Sequence, residues 1–193
     1  MVMINKDDEV KNAILEAAKR VFQKWGINKT TMEDIAREAG KGKSTLYYYY
    51  QSKEDIFDAV VLVQIDEIIQ KVIKLSSAAP TAKEKLIRYI VEFIKETSSR
   101  INAYTIVHEE LKRNRNFLTK LRDMFQSKEE KYILEILKFG LENKEFTFIK
   151  EGEVITASKT ITGMIHALEL YLLFESDDTA QIDIAARLIA NGL

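Results

Sequence analysis

The chain has 193 residues, of which 46% are hydrophobic and 31% charged, and a net charge of −1. That is enough apolar material for one large domain, or for a small domain joined to a medium one. The charge balance excludes a polycation that binds nucleic acid all over, and the lack of cysteine excludes a disulfide framework or a thiolate zinc site.

One proline, Pro80, and seven glycines are all that interrupt the chain, so long helices form at little cost. The β-branched residues recur at helical rather than alternating spacing, and an all-α fold is expected. The first ten residues, MVMINKDDEV, hold no apolar core of signal-peptide length. Apolar runs near Val60 and Leu170 are cut by Gln64, Asp66 and Glu169, short of the roughly 18 residues that a membrane span needs. A soluble cytoplasmic protein with no membrane partner is expected. Charge is uneven: residues 1–53 carry ten Lys/Arg against seven Asp/Glu, the remainder nineteen against twenty-three. A mildly basic first quarter on an acidic body suits a local phosphate-binding face.

Asp7 to Trp25 reads as an amphipathic helix. Val10, Ala13, Ile14, Ala17, Ala18, Val21, Phe22 and Trp25 follow the i, i+3, i+4, i+7 template. This puts Trp25 in the core, and Gly26 ends the helix. Thr30 or Thr31 then offers an N-cap hydroxyl with Glu33 or Asp34 three residues on, the capping-box pattern. Ile35, Ala36 and Ala39 form the stripe of a short helix that Gly40 stops. After Lys41-Gly42 a third helix is predicted from about Lys43 to Tyr50, with Leu46 and Tyr50 facing the first helix. Tyr48 and Tyr49 cannot share that face, so at least one points outward.

Ser52, with Asp55 three residues on, opens a fourth helix that runs to about Leu75 and breaks at Ser76–Pro80. Thr81 with Glu84 caps the next, whose stripe is Leu86, Tyr89, Ile90, Phe93 and Ile94. A weaker break near Ser98–Asn102, a short helix Ala103–Arg113 and a long one from about Asn116 to Asn143 follow. Gly152 marks a loop before two last helices, Glu153–Phe174 and Asp178–Asn191, which are apolar over a wide arc. A helix apolar nearly all round is buried on both sides. These two are therefore expected to pair with a second copy, giving a homodimer through about residues 153–191. The domains are expected at 1–51 and 52–193, with helix 52–75 joining them.

The stretch Thr31–Asp55 pairs a breaker, basic side chains and aromatics more closely than any other, and reads as a helix-turn-helix. In that motif the amino end of the second helix enters the major groove of duplex DNA while the first helix crosses the backbone. Lys43, Ser44, Thr45, Tyr48 and Tyr49 supply the donors, small polar groups and apolar surface that base edges and phosphates require. Thr31 and Lys53 stand at helix amino ends, which attract phosphate through free N–H groups. A second reading stays open on these residues alone: Tyr47 to Tyr50 as packing in a plain three-helix unit.

Residues 9–63 resemble the amino-terminal domain of the tetracycline-repressor (TetR) family of bacterial transcription regulators. The resemblance rests on Ala17-Ala18, Phe22 and Gly26, on Thr31-Met32-Glu33-Asp34-Ile35-Ala36 and Ala39-Gly40, and on Thr45-Leu46-Tyr47-Tyr48-Tyr49-Tyr50 followed by Ser52-Lys53-Glu54. It implies a homodimer on a roughly palindromic operator, with a helical carboxy-terminal domain that dimerises and holds a small-molecule inducer. It also implies roles: phosphate contacts from Thr31 and Lys53, a recognition surface of Lys43, Ser44, Thr45, Tyr48 and Tyr49, and Tyr47 divided between packing and phosphate. Two positions depart from the pattern. Lys41-Gly42 replaces a small apolar residue and serine, and Tyr50 stands where phenylalanine is usual.

Phe93, Tyr104, His108, Phe125 and Met164 are candidate effector-pocket residues, since each interrupts or edges a stripe on a central helix. His108-Glu109-Glu110 makes a poor metal site because adjacent helical residues point apart, and Lys112 and Arg113 lie close enough to neutralise the acids. His166, in the apolar penultimate helix, reads as a satisfied interface histidine. No catalytic signature appears in the sequence, so neither an enzyme nor a cofactor is expected. The rivals are a helix-turn-helix regulator without an inducer and a helical protein-interaction module.

Overall fold

The structure, a computed structural model, describes residues 6–103, 115–174 and 180–192. These form helices α1 (Lys6–Lys29), α2 (Met32–Glu38), α3 (Lys43–Tyr49), α4 (Lys53–Ser77), α5 (Ala82–Ala103), α6 (Arg115–Glu142), α7 (Val154–Phe174) and α8 (Ala180–Asn191), with one 3-10 turn at Glu151–Glu153. No strand occurs among the described residues, and the all-α expectation holds. No described helix is long and apolar enough to cross a membrane. The chain divides into two compact units, and the boundary between Ile65 and Asp66 falls inside α4.

In the first unit Ile14, Ala17, Ala18, Val21 and Phe22 of α1 are buried with Met32, Ile35 and Ala36 of α2 and Leu46 of α3. The first turns of α4 belong to the same core. Ile56, Phe57 and Val60 are buried, and the Phe22 and Phe57 rings meet edge to face at 5.4 Å. Such a pair adds stabilisation beyond its area. Trp25 is not core as its spacing suggested: it is 37% exposed, with the Lys24 ammonium 5.0 Å from its ring. The apolar stripe ends one turn earlier, at Phe22, because Gly26 (φ 75°, ψ 166°) takes the backbone out of the helix.

The second unit packs Ile68, Ile69 and Val72 of α4, Leu86 to Ile94 of α5, Ile133 to Leu137 of α6 and Ile161 and Ile165 of α7. The expected break at Ser98–Asn102 is absent, and α5 continues to Ala103. Nothing there removes a backbone N–H, and the Thr97 hydroxyl folds back on the Phe93 and Ile94 carbonyls inside the helix. Apart from Ala103, the short helix expected over Ala103–Arg113 lies outside the described residues.

Candidate nucleic-acid interface

Local chemistry places each helix of the motif. Thr31 is the N-cap of α2: its Oγ1 accepts from Asp34 N at 3.2 Å, and its own N–H donates to Asp34 Oδ2 at 3.1 Å. This reciprocal box satisfies two of the N–H groups that a helix start leaves unpaired. Gly40, at φ 62°, makes the left-handed turn that ends α2. Gly42 caps α3 with no side-chain hydrogen bond, and no acid sits in the first turn of α3. The amino end of α3 therefore keeps free donors for an incoming anion. Ser52 and Asp55 cap α4 reciprocally, at 3.0 and 3.1 Å.

Leu46 anchors α3 in the core while Lys43, Ser44, Tyr47 and Tyr48 are exposed, Tyr48 by 78%. Lys43 is not idle. Its ammonium pairs with Glu33 of α2 and lies 5.8 Å from the Tyr47 ring centre. That hydrogen bond raises the Lys43 ammonium above its ordinary value and lowers the Glu33 carboxyl below its own. Tyr49 stays closer to the body: half-buried, it donates from its hydroxyl to Asp7 Oδ1 of α1 at 2.9 Å, while Lys11 sits 5.9 Å from its ring. The Asp7 hydrogen bond, then burial, holds its phenol above the usual value. Tyr48 stands perpendicular to Tyr49 at 4.9 Å, so Tyr48 is the outward member of the pair. Tyr50 is half-buried at the end of α3, and burial raises its phenol.

Apart from Tyr49, which is tied to Asp7, the predicted DNA-contact residues thus fall in two groups. Lys43, Ser44, Thr45, Tyr47 and Tyr48 share one short helix with an open amino end. Thr31 is exposed, but its hydroxyl donates to Asp34 Oδ2 at 2.6 Å. Lys53 is half-buried, and its ammonium is directed at main-chain carbonyls of residues 27–30. Sequence reasoning missed Glu33 as the partner of Lys43 and Asp7 as the partner of Tyr49. Both partners lie on other helices, where no local spacing rule reaches. Glu33→Gln removes a negative charge from the face and releases Lys43. Duplex binding is expected to tighten about threefold at low salt, with the gain fading as salt rises; titrations at two salt concentrations check it.

In the second unit, Phe93 and Phe125 are buried. Met164 is 48% exposed. Tyr104 and His108 lie outside the described residues. His166 has a partner within the chain. Its Nε2 lies 2.6 Å from Glu129 Oε2, and the other Glu129 oxygen accepts from the Tyr89 hydroxyl at 3.1 Å. All three are buried, and the Phe93 ring lies 6.2 Å from the imidazole. Glu129 was legible in principle, because it shares a stripe with Phe125, Tyr132, Ile133 and Ile136, where a charge does not belong. Glu169 joins the cluster from α7.

Burial pushes the Glu169 carboxyl up to about 7, with Glu129 adding to the rise and His166 and a hydrogen bond with Thr97 opposing it. The folded chain keeps on Glu169 a proton that the unfolded chain releases near its ordinary 4.5. This contribution to stability is therefore full below about pH 4.5 and is lost as pH rises through about 7. The loss is about 2 kcal/mol, allowing for the partial exposure of the side chain. Glu169→Gln should flatten that part of the stability profile, which melting curves between pH 4.5 and 8 would reveal. An unchanged profile would refute the assignment.

The sequence profile of bacterial regulatory proteins of the tetR family matches residues 14–60, which span α1 to the start of α4. The chain is 28% identical over 84% of its length to YhgD, an HTH-type transcriptional regulator of Bacillus subtilis (strain 168), and spans 80% of that protein. It is 29% identical over 79% of its length to the fatty acid metabolism regulator protein of the same organism, covering 77% of it. The fold matches that of the transcriptional regulator FadR from Bacillus subtilis, solved in complex with stearoyl-CoA. The TM-score is 0.65 at 24% identity, over 94% of this chain and 98% of that one. An exposed α3 behind a capped α2, the matched segment and the shared all-helical fold lead to one conclusion: this chain is a helix-turn-helix transcriptional regulator of the tetR family of bacterial regulatory proteins.

Proposed function

We propose that the protein is a cytoplasmic, dimeric repressor that leaves a roughly palindromic operator when a small molecule binds its carboxy-terminal domain. The observation that carries the DNA half is α3, a short helix with an open amino end, a buried Leu46 and outward Lys43, Ser44, Tyr47 and Tyr48. Residues 1–51, on which the first turns of α4 pack, form the reading domain, and α4 joins it to the effector and dimer domain that makes up the rest of residues 52–193. The dimer surface is the exposed side of α7 and α8, where Met164, Tyr171, Ile184 and Leu188 stay outside the core that takes in Ile161, Ile165, Ile182 and Ala186. Large apolar side chains gathered on one outer face are the mark of an association surface.

A regulator of the same fold takes stearoyl-CoA, which supports a fatty acyl-CoA as effector here. Phe93, with Tyr89, Glu129 and His166 beside it, lies in the domain that would hold it. Effector and operator would favour different separations of the two recognition helices, so each weakens the binding of the other by the same factor. Selection of fragments from random duplex DNA tests the proposal, followed by anisotropy titrations over salt and acyl-CoA chain length. Two chains per duplex, affinity falling with salt and release by an acyl-CoA are expected. Binding that ignores salt would sink the reading.

A further inference from the structure

The start of α4 holds a second feature of the reading unit. Lys53 Nζ donates to the main-chain carbonyls of Ile27 at 2.8 Å, Thr30 at 3.0 Å and Asn28 at 3.3 Å. An ammonium has three N–H donors, and here each has a carbonyl within reach. These carbonyls lie at the end of α1, beyond the break at Gly26. The backbone has left the regular helix at Gly26, so the carbonyls of this turn lack the donors of a continuing helix and accept from side chains instead. The Thr30 hydroxyl closes the same turn from inside, donating to Gly26 O at 2.6 Å. The next residue, Thr31, caps α2. The connection from residue 53 back to residues 27–30 thus encloses α2 and α3 and anchors both of their ends.

We propose that Lys53 is a positioning residue for operator binding, whose ammonium ties the end of α1 to the start of α4 and so holds α2 and α3 in place, rather than neutralising a DNA phosphate. This rests on the DNA-binding reading above. The tether acts through the turn at residues 27–30: it fixes where α2 begins, and α2 in turn carries α3. It also removes Lys53 from the set of cations that release counterions when DNA binds.

The single tryptophan, Trp25, directly precedes the tethered turn and reports on it without DNA. Full-length wild type, Lys53→Met, Lys53→Gln and Lys53→Arg would be compared on two readouts. One is the unfolding midpoint from Trp25 emission. The other is affinity for a duplex that the wild type selects from random sequence, measured across salt concentrations. Lys53→Met is expected to lower the midpoint by about 5 °C and to weaken binding about tenfold at every salt concentration, leaving the log–log salt slope unchanged. Lys53→Arg, which keeps charged donors for the carbonyls, should restore most of both. Lys53→Gln removes the charge but keeps two donors, and its unchanged slope carries the test if Lys53→Met does not fold.

A slope shallower by about 0.9 in either uncharged variant, with a wild-type midpoint, makes Lys53 a phosphate contact and overturns the proposal. Unchanged midpoint and affinity in Lys53→Met overturn it too. If the wild type selects no duplex, the regulator reading falls, while the Trp25 midpoint still decides the tether.

Discussion

Replacing Lys43 and Tyr48 together by alanine is expected to weaken operator binding about a hundredfold while leaving the unfolding midpoint within about 2 °C of wild type. The two halves of this expectation have separate causes. Tyr48 is 78% exposed and Lys43 is exposed, so neither contributes to the core that Leu46, Ile35 and Phe22 build. Truncating exposed side chains away from caps and cores changes stability little. Both stand on the outward side of α3, where a groove-inserted helix meets base edges and phosphates. If Lys43 meets phosphate, the salt slope also falls by about 0.9; if it meets a base edge, the slope stays and sequence preference relaxes. Anisotropy with matched and mismatched duplexes separates these cases. Were the tyrosines there to pack against a protein partner, DNA affinity would not track these two residues.

His166→Ala should cost the second unit about 3–5 kcal/mol and lower its melting temperature by roughly 10 °C. The imidazole lies 2.6 Å from Glu129 inside the core. Removing it leaves a carboxyl oxygen buried without that partner and opens a cavity beside Phe93, 6.2 Å away. Losing one partner of a buried pair is more damaging than replacing the whole group by apolar residues of similar size. The variant combining Tyr89→Phe, Glu129→Met and His166→Leu is therefore expected to be more stable than His166→Ala alone. Denaturant titration of both provides the comparison, and a triple variant less stable than the single one would contradict this account of the cluster. A polar cluster kept at such a cost invites a further measurement, namely whether the triple variant still responds to acyl-CoA.

What could be read from the chain without coordinates was local. Thr31 with Asp34 and Ser52 with Asp55 announced two helix starts, because a hydroxyl and an acid three residues apart close hydrogen bonds within a single turn. Gly40 marked a helix end because its φ of 62° strains a side chain. The stripe from Ile14 to Phe22 marked the buried face of α1, because burial follows the helical period. The same period showed that at least one of Tyr48 and Tyr49 points outward; the hydrogen bond from Tyr49 to Asp7 leaves that place to Tyr48.

The tertiary structure alone decided where the charges go. Lys43 meets Glu33, Tyr49 meets Asp7, Lys53 meets the carbonyls of residues 27–30, and Glu129 meets both Tyr89 and His166. Every one of these contacts reaches beyond the helix that starts it. Helical period and capping rules act over three or four residues, so they fix which side chains are buried or exposed. They carry no information about which distant donor a long, flexible side chain will reach, and the packing of one helix on another supplies that. The same separation explains Trp25. Its spacing put it on the buried stripe, but the backbone turns away at Gly26, one residue later, and leaves the ring with solvent on one side.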